Sequence, residues 1–121
     1  MNTEAVVILL ASLAHPTRLD IFRKLVVAGE EGIAAGAIAS EIGIPASSLS
    51  FHLKELSHAG MVRSRQSGRF VVYTADYDTM SELIEFLSAN CCEGRPCAVV
   101  ALPKLRKRPP ARIAKTVARR A

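Results

Sequence analysis

Tryptophan is missing from this sequence, and aromatic residues of every kind make up only 5% of it. A core without large rings has to be built from Leu, Ile, Val and Ala, and that palette suits helices. No run of ~18 apolar residues occurs, so no membrane-spanning helix and no membrane partner are expected. The opening stretch MNTEAVVILLASLAHP has an acid where a secretory signal has basic residues, and Ser12, His15 and Pro16 interrupt its apolar run. The expected location is the cytoplasm. Cysteine is scarce and local: Cys91, Cys92 and Cys97 all fall in NCCEGRPC. An odd, clustered set cannot form a disulfide framework, and a reducing compartment would keep it as thiols. Acid is absent from the last stretch. Residues 102–121 hold 8 basic residues and no Asp or Glu, while residues 1–101 hold 8 Lys and Arg against 11 Asp and Glu. The net charge of +5 therefore belongs to the tail. Such a tail reads as a nucleic-acid-seeking arm or as a solubilising one, and composition does not choose.

What is present is enough for one domain: 121 residues, 50% of them hydrophobic. The folded body is expected over residues 1–97. A basic, disordered tail is expected over 98–121, where Pro109, Pro110 and like charges oppose packing. Thr3 can cap a first helix ending near Leu13, with Val6, Leu9, Leu10 and Leu13 on one largely buried stripe. Pro16 opens a second helix to Ala28, with Leu19, Phe22 and Val26 inward and Arg18, Asp20, Arg23 and Lys24 reaching solvent. EEGIA reads as a loop. A short helix over residues 35–42, a GIP turn and a helix over 46–59 follow, the last closed by Gly60. Two short β runs, 61–66 and 69–75, flank a Ser67-Gly68 turn. A final helix over 77–90 carries Met80, Leu83, Ile84 and Leu87 on one stripe. The fold class is mainly α with a small β-hairpin.

Two helices joined by a three-residue turn make a helix-turn-helix, and a hairpin after the second helix adds a wing. On the second helix, Leu49, Leu53 and Leu56 share an inner face. Ser47, Phe51, Lys54 and His58 lie opposite, with Ser48, Ser50 and His52 on the flanks. Hydroxyls that bond phosphates or base edges, and an apolar ring that lies against thymine methyls, suit a helix entering the major groove. The blander readings are that the serines only cap or face solvent, and that Phe51 packs against the wing. In the wing, Arg63 and Arg65 share one side of a strand and Arg69 follows the turn. They fit phosphate or minor-groove contact, or are simply solvated charges. The candidate DNA-binding residues are Ser47, Ser48, Ser50, Phe51, His52, Lys54, Arg65 and Arg69.

ASLAHPTRLDIFRKL, IPASSLSFHLKELSHAGMVRSRQSGRFVVYTADY and the paired cysteines after the last helix resemble the ArsR family of winged-helix, metalloid-responsive repressors, over residues 5 to 97. The resemblance implies a homodimer joined through its first and last helices. It also implies an operator of imperfect two-fold symmetry, with half-sites ~34 Å apart. Members of the family place their sensing residues in different elements. A Cys-x-Cys before the recognition helix is not matched by AIASEIG, and an Asp, His and Glu set on the last helix is not matched by a helix without histidine. Cys91, Cys92 and Cys97 remain, similar to members with a cysteine cluster just after the last helix.

Three soft thiolates suit the pyramidal coordination of trivalent arsenic or antimony. A closed zinc site wants four ligands, and only Glu93 is a local fourth. Adjacent cysteines on a helix point ~100° apart, so Cys91 and Cys92 must leave helical geometry to share one ion. Gly94 and Pro96 allow the return of Cys97, and Arg95 favours thiolates. Cadmium, lead, bismuth, a redox switch, or cysteines with no ligand are the other readings. A thiol enzyme such as an arsenate reductase is the rival of another class. It is weakened by the lack of a glycine-rich phosphate loop and by histidines confined to a helix start and the recognition helix. A winged helix that binds protein instead of DNA is a further rival.

Overall fold

Apolar spacing, capping residues and two glycines set the element boundaries in the structure, a computed structural model that describes residues 1–90 and Glu93. The cysteine site expected at Cys91, Cys92 and Cys97 and the tail expected over 98–121 lie outside the described residues. Helix α1 spans Thr3–Leu13, α2 Pro16–Ala28, α3 Ala35–Ile42, α4 Ala46–Ala59 and α5 Tyr77–Ser88. Strands β1 (Ile33–Ala34), β2 (Val62–Ser67) and β3 (Phe70–Ala75) form one antiparallel sheet in the order β1-β3-β2. Among the described residues no single helix is long and apolar enough to cross a membrane.

Several expectations need correction. Asn2, not Thr3, caps α1, its Oδ1 accepting from the Ala5 N–H at 2.8 Å. An Asx side chain one residue earlier leaves Thr3 free to begin the helix. Helix α5 stops at Ser88 instead of 90. The EEGIA stretch is not only a loop. After one 3-10 turn, Ile33 and Ala34 pair with Tyr73 and Val72, so the wing is a three-stranded sheet and not a bare hairpin. Gly32 makes this pairing possible. Its φ is +73°, and a Cβ there would collide with the Tyr73 carbonyl and the Thr74 methyl. A strand of two residues has no period to read, which is why the sequence did not announce it.

The inner face of α4 forms the centre of the core. Leu49, Leu53 and Leu56 are buried against Ile21, Phe22 and Leu25 of α2, Ile38 of α3, and Met61 and Val62. Each such side chain is worth about 1.5–3 kcal/mol relative to exposure. On α2 the inward set is Ile21, Phe22 and Leu25, with Leu19 exposed, a rotation of the face expected from the sequence. Gly60, with φ +92°, closes α4 through its N–H to the carbonyls of Leu56 and Ser57. That turn sends the chain directly into the wing. Tyr77 locks the return: its hydroxyl donates toward the carbonyls of Leu25 and Val26 at 3.2 and 2.9 Å, joining the start of α5 to the end of α2. Asp76 caps α5 by accepting from the Thr79 N–H at 3.1 Å.

Helix α1 departs most from expectation. Val6 and Leu9 are buried, but Leu10, Val7 and Ile8 are exposed, so the helix is not largely buried within one chain. The α5 stripe behaves alike: Leu83 is buried, while Ile84 and Leu87 are exposed.

Candidate nucleic-acid interface

Helices α3 and α4 meet across Gly43, Ile44 and Pro45, with Gly43 in the left-handed conformation at φ +82°. The turn is a tight one because Gly43 tolerates that conformation, and its N–H bonds the Ala39 carbonyl at 2.8 Å. Pro45 then starts α4 without any side-chain cap. The serines are therefore not cap residues. Ser47 and Ser50 are exposed and Ser48 is half-buried. The first-turn N–H groups stay uncapped at the end of a helix that favours anions.

The ring of Phe51 is 55% exposed, which rules out the reading that packs it against the wing. Its neighbours are the Arg18 guanidinium, whose Cζ stands 5.5 Å from the ring centroid, and the His52 ring, edge-on at 5.7 Å. Lys54 is exposed on the same side of α4, as is His58 in the last turn. His52 is half-buried and turned toward α2: its Nδ1 accepts from Arg18 Nε at 3.1 Å, and its ring lies 4.7 Å from that of His15. Partial burial, with smaller contributions from His15 and then Arg18, pushes the His52 pKa below its ordinary 6.5.

The wing divides its arginines. Arg63 Nε pairs with the Asp76 carboxylate at 3.1 Å, and Arg65 Nη2 donates to the Glu31 carbonyl at 3.0 Å. Arg69, beyond the Gly68 turn, is exposed and makes no hydrogen bond or ion pair with the described residues. Phe70 beside it is also exposed. Residues 46–54, the first part of α4, and residues 62–75 contain no Asp or Glu, so the N-terminal half of the recognition helix and the wing strands carry cations and hydroxyls without acids of their own; Glu55 and Asp76 lie just beyond them.

Two features escaped the sequence reading. Arg18 was expected to reach solvent, yet it is half-buried between α2 and α4. Its spacing of three from the capping His15 puts the two on one face, but nothing in α2 names a partner 34 residues away. Phe70 was counted only as a strand former.

This architecture defines a winged helix-turn-helix protein, with α4 as recognition helix and β2-β3 as wing. A family model described as a helix-turn-helix domain matches residues 13–65. The nodulation protein NolR of Rhizobium meliloti is 33% identical over 79 residues, which is 65% of this chain and 62% of NolR. The chain thus spans less than two thirds of the length of that relative. The solved structure of reduced HlyU from Vibrio cholerae is 30% identical, with 73% of this chain and 93% of that one covered and a TM-score of 0.58. An ArsR-like transcriptional regulator from Rhodococcus shares the fold with a TM-score of 0.65 at 23% identity, over 75% of this chain and 83% of that one. The chain belongs to the ArsR family of winged helix-turn-helix transcriptional regulators.

Proposed function

We propose that this regulator is a repressor that binds double-stranded operator DNA as a homodimer, and that trivalent arsenic or antimony, held by Cys91, Cys92 and Cys97, releases it. The exposed outer face of α4, with Ser47, Ser50, Phe51 and Lys54 outward over a buried leucine face, carries the DNA half of this reading. The dimer is supported by Val7, Ile8 and Leu10 of α1 and Ile84 and Leu87 of α5. These large apolar side chains are 41–61% exposed, on helices that bury their other faces. Two copies of α4 then reach successive major grooves, one helical turn or ~34 Å apart.

The inducer site rests on donor chemistry and on where the helix ends. Helix α5 is over at Ser88, and Asn90 has a φ of +59°, so the chain has left helical geometry before Cys91. Three thiolates supply a soft, three-coordinate site for a metalloid. Release requires the ion to favour the DNA-incompetent state, by ~1.4 kcal/mol for each tenfold loss of operator affinity. Oxidation of the same thiols is a second reading, favoured by the existence of a reduced form of HlyU as a distinct solved species.

A gel shift on the protein's own promoter region tests these readings together, kept reduced with a phosphine in the arsenite arm and free of reductant in the peroxide arm. Arsenite is expected to release the wild-type protein. Cys97→Ser should bind the same DNA and resist release. Release of that variant at the wild-type arsenite concentration would refute the three-thiol site, and release by peroxide but not arsenite would favour oxidation. Binding that does not weaken steeply with salt would argue for a protein partner instead of DNA.

A further inference from the structure

The contacts between α2 and the recognition helix form a small relay. His15 caps α2, its Nδ1 accepting from the Thr17 N–H at 3.1 Å. One turn on, Arg18 gives its Nε–H to His52 Nδ1 at 3.1 Å and stands over the Phe51 ring at 5.5 Å. Phe51 and His52 are consecutive on α4 and touch edge to face. One guanidinium thus engages two adjacent rings, one by a hydrogen bond and one by its charge over the ring face.

We propose that Arg18 is a positioning residue of the DNA interface: reaching from α2, it fixes the Phe51 and His52 rings on the recognition helix, and neutral His52 is the acceptor that keeps it there. This inference rests on the operator-binding reading.

The chemistry gives the relay a direction. A guanidinium only donates, so the bond exists only while His52 Nδ1 carries no proton, which places the proton of the neutral ring on Nε2. Protonating His52 removes the acceptor and sets a second cation beside Arg18 and His15. Arg18 is then repelled, and Phe51 loses the cation over its ring. The ionisable groups that act on His52 are His15, the cap of α2, and Arg18 within it. No ionisable side chain of α1, α3 or β2, which also pack on α4, contributes to its shift, nor do Lys54, Glu55 or His58 of α4 itself. Sequence-independent affinity should not fall on protonation, because an added cation near phosphates favours binding. What falls is discrimination. The preference for promoter DNA over scrambled DNA is full with His52 neutral and declines as pH drops through its lowered pKa.

The test measures that preference by fluorescence anisotropy with the full chain at pH 7.5 and at an acid pH where nuclear magnetic resonance shows His52 protonated. Wild type should lose about tenfold in the ratio of the two affinities on acidification, the scale of one mismatched base pair. Arg18→Lys keeps the charge but not the fork, so its ratio should already be low at pH 7.5 and should change little with pH. His52→Gln keeps an acceptor oxygen that does not titrate, so its ratio, whatever its level at pH 7.5, should not change on acidification. Nuclear magnetic resonance of the DNA-free protein supplies an independent readout: titration of His52 should move the Phe51 ring signals further in wild type than in Arg18→Lys, where only the direct edge contact between the two rings remains. A wild-type ratio unchanged by pH, or an Arg18→Lys protein that follows wild type throughout, would overturn the proposal. Failure of the operator-binding reading looks different: wild type would then prefer promoter DNA at neither pH.

Discussion

Helix α4 and the pair α1 and α5 carry apolar stripes of similar spacing, yet one chain treats them differently. Leu49, Leu53 and Leu56 are 0–2% exposed, enclosed by α2, α3 and the start of the wing. On α1 and α5, Val6, Leu9 and Leu83 are enclosed, whereas Ile8 and Leu87 stand 58% and 61% exposed. The first stripe is satisfied by the chain that carries it. The second is only half satisfied, and its outer residues gain nothing from folding alone. A stripe on a sequence therefore reports that burial is wanted, without saying by which chain it is supplied.

The strongest way to break this contrast is on the closed side. Leu56→Ala removes a fully buried side chain at the junction of α4 and Met61, and should destabilise the fold by about 2–5 kcal/mol, read as a lower urea midpoint at unchanged slope. On the open side, Ile8→Glu with Leu87→Glu should leave the fold of each chain intact and abolish the proposed dimer, seen by sedimentation at micromolar concentration. With it should go the concentration dependence of the melting temperature. A double variant that stays dimeric would remove α1 and α5 from the interface. One that unfolds outright would erase the distinction between the two stripes.

Most of the fold could be read from residues that act locally. Pro16 and Gly29 bound α2, Gly43 and Pro45 form the turn, Gly60 ends α4, and the bounds of α2, α3 and α4 follow from them. What could not be read depends on contacts between distant segments. Strand β1 exists because Gly32 lets Ile33 come against Tyr73, and no periodicity of the stretch itself encodes that. The outward face of α4 was legible from its angular spacing, since Ser47, Phe51 and Lys54 are exposed as expected. The rotation of His52 toward α2 was not, because a flank position on a helix turns either way depending on its neighbour. Arg18 is that neighbour, and its hydrogen bond spans two helices.

The wing repeats the contrast between satisfied and open groups on a smaller scale, with charges in place of apolar faces. Arg63 already has the Asp76 carboxylate, and Arg65 already has the Glu31 carbonyl, whereas Arg69, exposed in the turn, has no ion pair or hydrogen bond among the described residues. Engaging Arg63 with a phosphate costs it the Asp76 contact, and the repulsion between that carboxylate and the DNA offsets part of the gain. Arg69 carries no such offset. Arg69→Gln should therefore lower the slope of log affinity against log salt by about 1, uniformly across DNA sequences. Arg63→Gln should change the slope less, since the variant leaves Asp76 to cap α5 through its other oxygen at the Thr79 N–H. Neither substitution should move stability by more than about 0.5 kcal/mol, since both side chains are at the surface. Equal slopes for the two variants would show that the pairing seen at the base of the wing does not hold against DNA.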